Sequence, residues 1–216
     1  MINEFVKKIY IKNEELLIDK YNLKSDTDKI ELKRKMMILS SKLYIFYEPH
    51  KEIMELCNKK NYDTIAMAIA YKAIDNFSWL YLYPNEDKTP AKIFIDFTDS
   101  FLMMYIEDMI NSEELWSSRC GTLHQNTYES FHTKKNKTKF VVLYSNKKIN
   151  REELLQNVNT RDYSEDQYCF LRMDYFFKAI DKAVDEFYEY IVINKRIDEI
   201  LYKIDKMPLW YMFIDV

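Results

Sequence analysis

The chain has 216 residues and a formal net charge of −3, with 48% hydrophobic and 16% aromatic residues. That much apolar surface excludes a disordered chain, which lacks the burial that offsets the entropy of ordering. The length suits one domain with insertions, or one domain and a small appendage.

No uncharged apolar stretch reaches the ~18 residues that cross a bilayer. The start, M-I-N-E-F-V-K-K, lacks the apolar region of a secretory signal. Three widely spaced cysteines, Cys57, Cys120 and Cys169, read as thiols of a reducing compartment and not as a disulfide framework. The expectation is a cytoplasmic protein without a membrane span.

One glycine and four prolines leave little material for tight hairpins, whose primed turns need positive φ. Long helices are the alternative. An opening helix is predicted over residues 3–21. Ser25 and Asp26 then offer N-caps to a helix in which Met36, Leu39, Leu43 and Phe46 recur at gaps of three and four, ending at Pro49. A shorter helix around Ile53 follows. Residues 63–82 form the next, with Ala66, Ala70, Ala73, Phe77 and Leu80 on one stripe whose alanines admit a close neighbour. Pro84 and Pro90 bracket a polar loop.

Residues 92–97 alternate, with Ile93, Ile95 and Phe97 on one side, and predict a short strand. Asp99 caps a helix to about residue 110. Asn111 and Ser112 offer a fresh N-cap, with Glu113 and Glu114 in the first turn where the helix dipole favours acids. Residues 140–144 read as a strand. The last large element is predicted from about Glu165, with a seam of Phe170, Met173, Phe177, Ile180, Val184, Phe187 and Ile191. The seam then shifts to Ile193, Ile197, Ile200 and Ile204, so the helix bends, stutters or ends there. Pro208 opens an aromatic tail, Leu209 to Ile214, a strand or an interface segment.

The fold class that follows is mainly α with two or three minor β-strands. Residues 1–60 are expected to be N-terminal helices packing on the core, 61–207 a helical domain with a basic insertion over 130–151, and 208–216 the tail.

Charge is unevenly spread. Between Ser130 and Arg151 there is no acid, but there are Lys134, Lys135, Lys137, Lys139, Lys147, Lys148 and Arg151. That stretch holds +7 against −3 for the whole chain, which leaves the remainder at −10. Such an asymmetry steers polyanions to one place, although a solvated lysine-rich loop would show the same composition.

The chemically pointed segment is S-S-R-C-G-T-L-H-Q, from Ser117 to Gln125. Its helical stripe runs Leu115, Trp116, Arg119 and Leu123, which puts Arg119 among apolar neighbours where it needs partners. Gly121 is the only glycine of the protein, and in a helix interior it costs roughly 1 kcal/mol relative to alanine. Close approach by a ligand or by another backbone accounts for it equally. His124 follows Arg119 by five residues, about 140° around an ideal helix and about 7.5 Å along its axis, so only the long arginine side chain or a second subunit can bring the two together. Histidine takes and returns protons near neutrality, and arginine matches two phosphate oxygens. Together they are a minimal set for phosphodiester chemistry without a metal.

This R-C-G-T-L-H-Q stretch, on a polar-capped helix and followed by a long helix, resembles the signature of the HEPN superfamily, an arginine and a histidine separated by four to six residues. In residues the resemblance covers this segment alone; in element order it covers about 63–206. It implies a HEPN-like helical bundle, a homodimer whose two Arg-His pairs face one cleft, and no cofactor. It also implies an endoribonuclease of a toxin or defence setting, with Arg119 and His124 catalytic, or else a member that only binds. Lys134, Lys135, Lys137 and Lys139 are then the expected RNA-binding residues, and a neutralising partner protein is an expected companion. Two departures stand out: Cys120 occupies a position that is usually more polar, and Asn126 stands where one toxin branch has a tyrosine, with Tyr128 two places later.

Three other readings compete. Cys120, His124 and His132, at offsets of four and eight, could hold zinc, but no fourth ligand is evident; the expectation is no metal. A Cys120–His124 nucleophile is the second, although a cysteine on an interior stripe is more often a packing residue. The third is a non-catalytic dimer that binds a protein, a nucleotide or RNA. His50, after Pro49, reads as a loop or cap residue.

Overall fold

A computed structural model describes residues 2–82, 88–125, 141–145 and 167–206. The protein is mainly α with a minor sheet. In chain order the helices are α1 (Ile2–Lys12), α2 (Glu14–Tyr21), α3 (Asp26–Lys59), α4 (Asp63–Leu82), α5 (Pro90–Phe101) and α6 (Ser112–Gln125). Strands β1 (Val141–Ser145) and β2 (Tyr168–Arg172) follow, then α7 (Met173–Ile193) and α8 (Ile197–Lys206). Among the described residues no helix is long and apolar enough to cross a membrane. Much of the basic stretch, including Lys134, Lys135, Lys137 and Lys139, lies outside the described residues, as does the tail.

Several expectations give way to packing. The predicted opening helix is two, because Asn13 leaves helical geometry (φ −118°, ψ 16°) and its side-chain amide donates to the Ile9 carbonyl and to Glu189. Pro49 does not stop α3, which runs on through the shorter helix expected around Ile53. A proline has no N–H for the carbonyl four residues back, that of Ile45, and α3 continues without that one bond. Residues 92–97 are helical, not a strand. Thr89 caps α5 by accepting from the Lys92 amide and Pro90 takes the first turn, while burial falls on Phe94, Phe97 and Phe101, a helical period. Helix α5 then ends at Phe101, and a short 3₁₀ turn, Met103–Tyr105, replaces the expected continuation from Asp99. Nor is the last element a single helix from Glu165, since Tyr168–Arg172 pairs as a strand before α7 begins.

Other local signals hold. Ser25 and Asp28 form a capping box: the Ser25 hydroxyl accepts from the Asp28 amide, and the Asp28 carboxylate accepts from the Ser25 amide. Asn111 caps α6, its side-chain oxygen accepting from the Glu114 amide at 2.8 Å.

Scarce glycine does not prevent sharp helix ends. Asn22, Asn61 and Lys195 adopt positive φ of 53°, 60° and 58° and close the ends of α2, α3 and α7. Past each, an amide returns to a carbonyl of the last turn: Leu23 to Ile18, Tyr62 to Cys57, and Arg196 to Ile191. Asparagine bears the left-handed region readily and lysine does not. Lys195→Gly is therefore expected to raise stability by about 0.5 kcal/mol, the relief of the left-handed cost exceeding the added unfolded-chain entropy. Chemical denaturation measures this, and a loss of stability would contradict it.

Two compact units divide the chain, one of residues 1–49 and 184–215, the other of 50–183. In the first, Leu17, Met36, Leu39, Phe46, Phe187 and Ile191 are almost fully buried. Hydroxyl groups tie that core together: Tyr21 donates to the Val192 carbonyl at 2.7 Å and Tyr188 to the Met36 carbonyl at 3.0 Å. Burial pushes the Tyr21 phenol up to about 12, so it stays a donor. On α8, Glu199 lies between Arg196 (2.7 Å) and Lys203 (2.6 Å), and these cations hold its carboxyl down at about 2, against an ordinary 4.5. A depressed carboxyl stabilises the fold above its unfolded value and loses that contribution as pH falls through the folded value. Glu199→Gln is thus expected to lower Tm at neutral pH, with the gap closing as pH falls from 4.5 to about 2. A gap unchanged at the acid end would assign the loss to packing.

The second unit is built on α4, which buries Ala66, Ala70 and Ala73 and packs against α5 and α6. Beside α6 lies the sheet, in which β1 and β2 pair in parallel from Val141 with Tyr168 to Ser145 with Arg172. Parallel strands need a long crossover, and residues 146–166 supply its length. On β1, Val142, Leu143, Tyr144 and Ser145 are all buried, whereas on β2 burial is confined to Tyr168 and Leu171.

Candidate functional site

Helix α6 does not bury the stripe its apolar residues predict. Of Leu115, Trp116, Arg119 and Leu123, only Leu115 is fully inside, and the other buried residues of α6 are Ser112, Glu114, Ser117, Ser118, Gly121 and Thr122. Helix α6 lies against α4 on the side that carries Tyr71 and Asp75, about 140–180° around α4 from its alanine stripe. Gly121 does not use positive φ and is buried.

That approach brings Arg119 to a partner the sequence reading did not name, Asp75 on α4. The Arg119 Nε donates to the Asp75 carboxylate at 3.1 and 3.3 Å, and Nη2 donates to it at 2.7 Å. Both side chains are less than a fifth exposed, at 16% and 19%. Burial pushes the Asp75 carboxyl up while Arg119 pulls it back. Burial also works against the guanidinium charge, but Asp75 more than compensates and holds Arg119 above its ordinary range. A guanidinium stays charged at neutrality, so the contact is an ion pair.

The flat face of the guanidinium lies 4.9 Å from the ring centre of Trp116, and that indole packs against Phe94 at 5.3 Å. A turn away from Asp75, Tyr71 donates to the Ser118 hydroxyl at 2.7 Å and adds a second polar tie between α4 and α6. Arg119 is thereby oriented on an edge and on a face.

Its remaining arm reaches His124. Arg119 Nη1 lies 2.7 Å from His124 Nε2. Arginine spans the separation that the helix imposes on the two Cα atoms. Since a guanidinium only donates, Nε2 is the acceptor in this contact. His124 itself is exposed. The arrangement is an exposed base whose lone pair touches a fixed cation, which can take a proton from one oxygen while the cation meets charge on a neighbouring one.

Cys120 is half-buried, and burial pushes its thiol up despite Arg119 beside it. A protonated thiol is a poor nucleophile, so Cys120 is a packing residue here. His132, the third member of the possible zinc set, lies outside the described residues; among those described, no three His, Cys, Asp or Glu side chains cluster as metal ligands would. His50 is not in a loop but on α3, buried, with its Nε2 3.3 Å from the Asn76 amide.

The signal for Asp75 was present in the sequence. The charged residues of α4 are Asp63, Lys72 and Asp75, and a carboxylate within a largely apolar run is the natural complement of an arginine within another.

Fold and site together define a mainly α protein in which a buried carboxylate–guanidinium pair, shared by two helices, carries an exposed histidine at its edge. Comparison with family models, with curated proteins and with solved structures finds no match.

Proposed function

We propose that the protein is a metal-independent endoribonuclease of HEPN type, acting as a homodimer in a toxin or defence setting. What carries this reading is the 2.7 Å contact between Arg119 and an exposed His124. Two groups with complementary roles in phosphodiester cleavage meet at one point, although the helix sets their backbones apart.

In the reaction, the phosphate takes the Arg119 Nη1 edge that His124 holds in the free protein. Asp75 keeps the opposite edge of the guanidinium, so the cation stays placed as its contact changes. Released, Nε2 takes the proton of a ribose 2′-hydroxyl, or in its protonated form returns one to the departing 5′-oxygen. The 2′-oxygen bonds to phosphorus, the bond to the 5′-oxygen breaks, and Arg119 meets the charge on the non-bridging oxygens. The products are a 2′,3′-cyclic phosphate and a 5′-hydroxyl. Lys134, Lys135, Lys137 and Lys139, soon after α6 in sequence, hold the RNA backbone.

A second reading has its own support. Asp75 neutralises Arg119 in a partly buried pair, as a structural clamp would, and a non-catalytic helical module binding a protein, a nucleotide or RNA needs nothing more. Incubating the purified protein with mixed RNAs in EDTA separates the two. Cleavage leaving cyclic phosphate ends supports the nuclease; intact RNA leaves the clamp.

A further inference from the structure

The unit of residues 1–49 and 184–215 contains an apolar seam that the described residues leave open. Lys35 and Lys42 on α3 pair with Asp198 and Asp205 on α8, the first at 2.8 Å. Both pairs of positions are seven residues apart, two helical turns, so α8 runs alongside α3 in the same direction. This ladder of charges closes the joint between the helices, with Met36, Leu39 and Leu43 of α3 and Ile197 and Ile200 of α8 buried on its inner side.

Outside the ladder stand three exposed apolar side chains, Ile38 and Ile45 of α3 and Tyr202 of α8. Ile38 and Ile45 each follow a ladder lysine by three residues, about 60° further from the core around α3. They are 40% and 70% exposed, and Tyr202, on the outer side of α8, is 65% exposed. Single exposed apolar residues are ordinary. An aligned set, a heptad apart and flanking a joint between two helices, is a surface made to be covered.

The chain supplies a cover. Helix α8 ends at Lys206, immediately after the aspartate that pairs with Lys42, so the following residues start within about one helical turn of Ile45. They read M-P-L-W-Y-M-F-I-D-V, with six consecutive apolar or aromatic residues from Leu209 to Ile214. Ten residues reach about 33 Å when extended, whereas Ile38 and Ile45 are about 10.5 Å apart along α3. An apolar run of that length costs free energy in water, and the seam beside its point of departure is the surface its reach and composition fit. We infer that residues 209–214 dock on the Ile38–Ile45–Tyr202 seam of the same chain.

The test is a double-mutant cycle in the full chain, with Ile45→Asp on the seam and Trp210→Ser with Phe213→Ser on the tail. At a bare exposed position Ile45→Asp is close to neutral. Docking makes it lower Tm by about 5 °C in the native-tail background and leaves Tm unchanged once the tail is altered. Hydrogen exchange gives an independent reading: the tail substitutions are expected to speed exchange over residues 38–46 by about tenfold. Equal effects of Ile45→Asp in both backgrounds, or unaltered exchange, would overturn the inference. So would a fall in molar mass by light scattering on Ile45→Asp, which would make a second copy the occupant.

Discussion

Asp75→Ala is expected to lower the free energy of unfolding by about 3 kcal/mol, since it strands a guanidinium in a site less than a fifth exposed. Stranding is the larger part of the effect. The pair itself contributes less, because desolvation of both groups opposes their attraction. The comparison that separates the two effects is the double replacement Asp75→Leu with Arg119→Met, which removes both charges while keeping volume. It should recover much of the loss. Asp75→Asn, which keeps the shape and the acceptor oxygen but not the charge, should fall between wild type and alanine. Urea unfolding of the four proteins gives the answer. Single replacements costing under ~0.5 kcal/mol, with no coupling between them, would mean the contact is screened like a surface pair.

The second large effect concerns catalysis. His124→Ala is expected to cut RNA cleavage in EDTA by about 10²–10⁴-fold, the usual worth of a positioned proton-transfer group, with Tm essentially unchanged. Exposure is the reason for the separation, because removing an exposed imidazole leaves the Asp75–Arg119 pair and its packing on Trp116 in place. Arg119→Ala is the less clean experiment, since it both removes the cation and leaves Asp75 buried and unpaired. Arg119→Lys keeps the charge while losing the fork that binds Asp75, so it should fold better than alanine yet cleave poorly. Retained cleavage in His124→Ala would assign the activity to another group or to a contaminating nuclease.

Much of the helical framework is legible in one dimension. The capping box at Ser25, the Asn111 cap, the alanine stripe of α4 and the span of residues 63–82 each follow from short-range chemistry, in which a side chain serves its own backbone or repeats at the helical period. The errors share a cause. Pro49 predicts a stop because its local cost is plain, whereas α3 bears the loss of one bond and runs on to Lys59. Residues 92–97 alternate like a strand, but the Thr89–Pro90 start and the burial of Phe94, Phe97 and Phe101 favoured a helix. Glycine scarcity argues against hairpins, yet helix ends do not need glycine, because Asn22, Asn61 and Lys195 accept the left-handed conformation.

At the candidate site the divide is sharper. Residue types and their spacing were enough to single out Arg119 and His124, and to require a partner for the arginine, because charge, proton affinity and helical angle belong to each residue or its near neighbours. Which carboxylate answers Arg119, and whether its far arm bridges five residues to the imidazole, depended on how α6 lies against α4. Contacts between residues 44 positions apart arise from packing, and packing is a property of the folded chain.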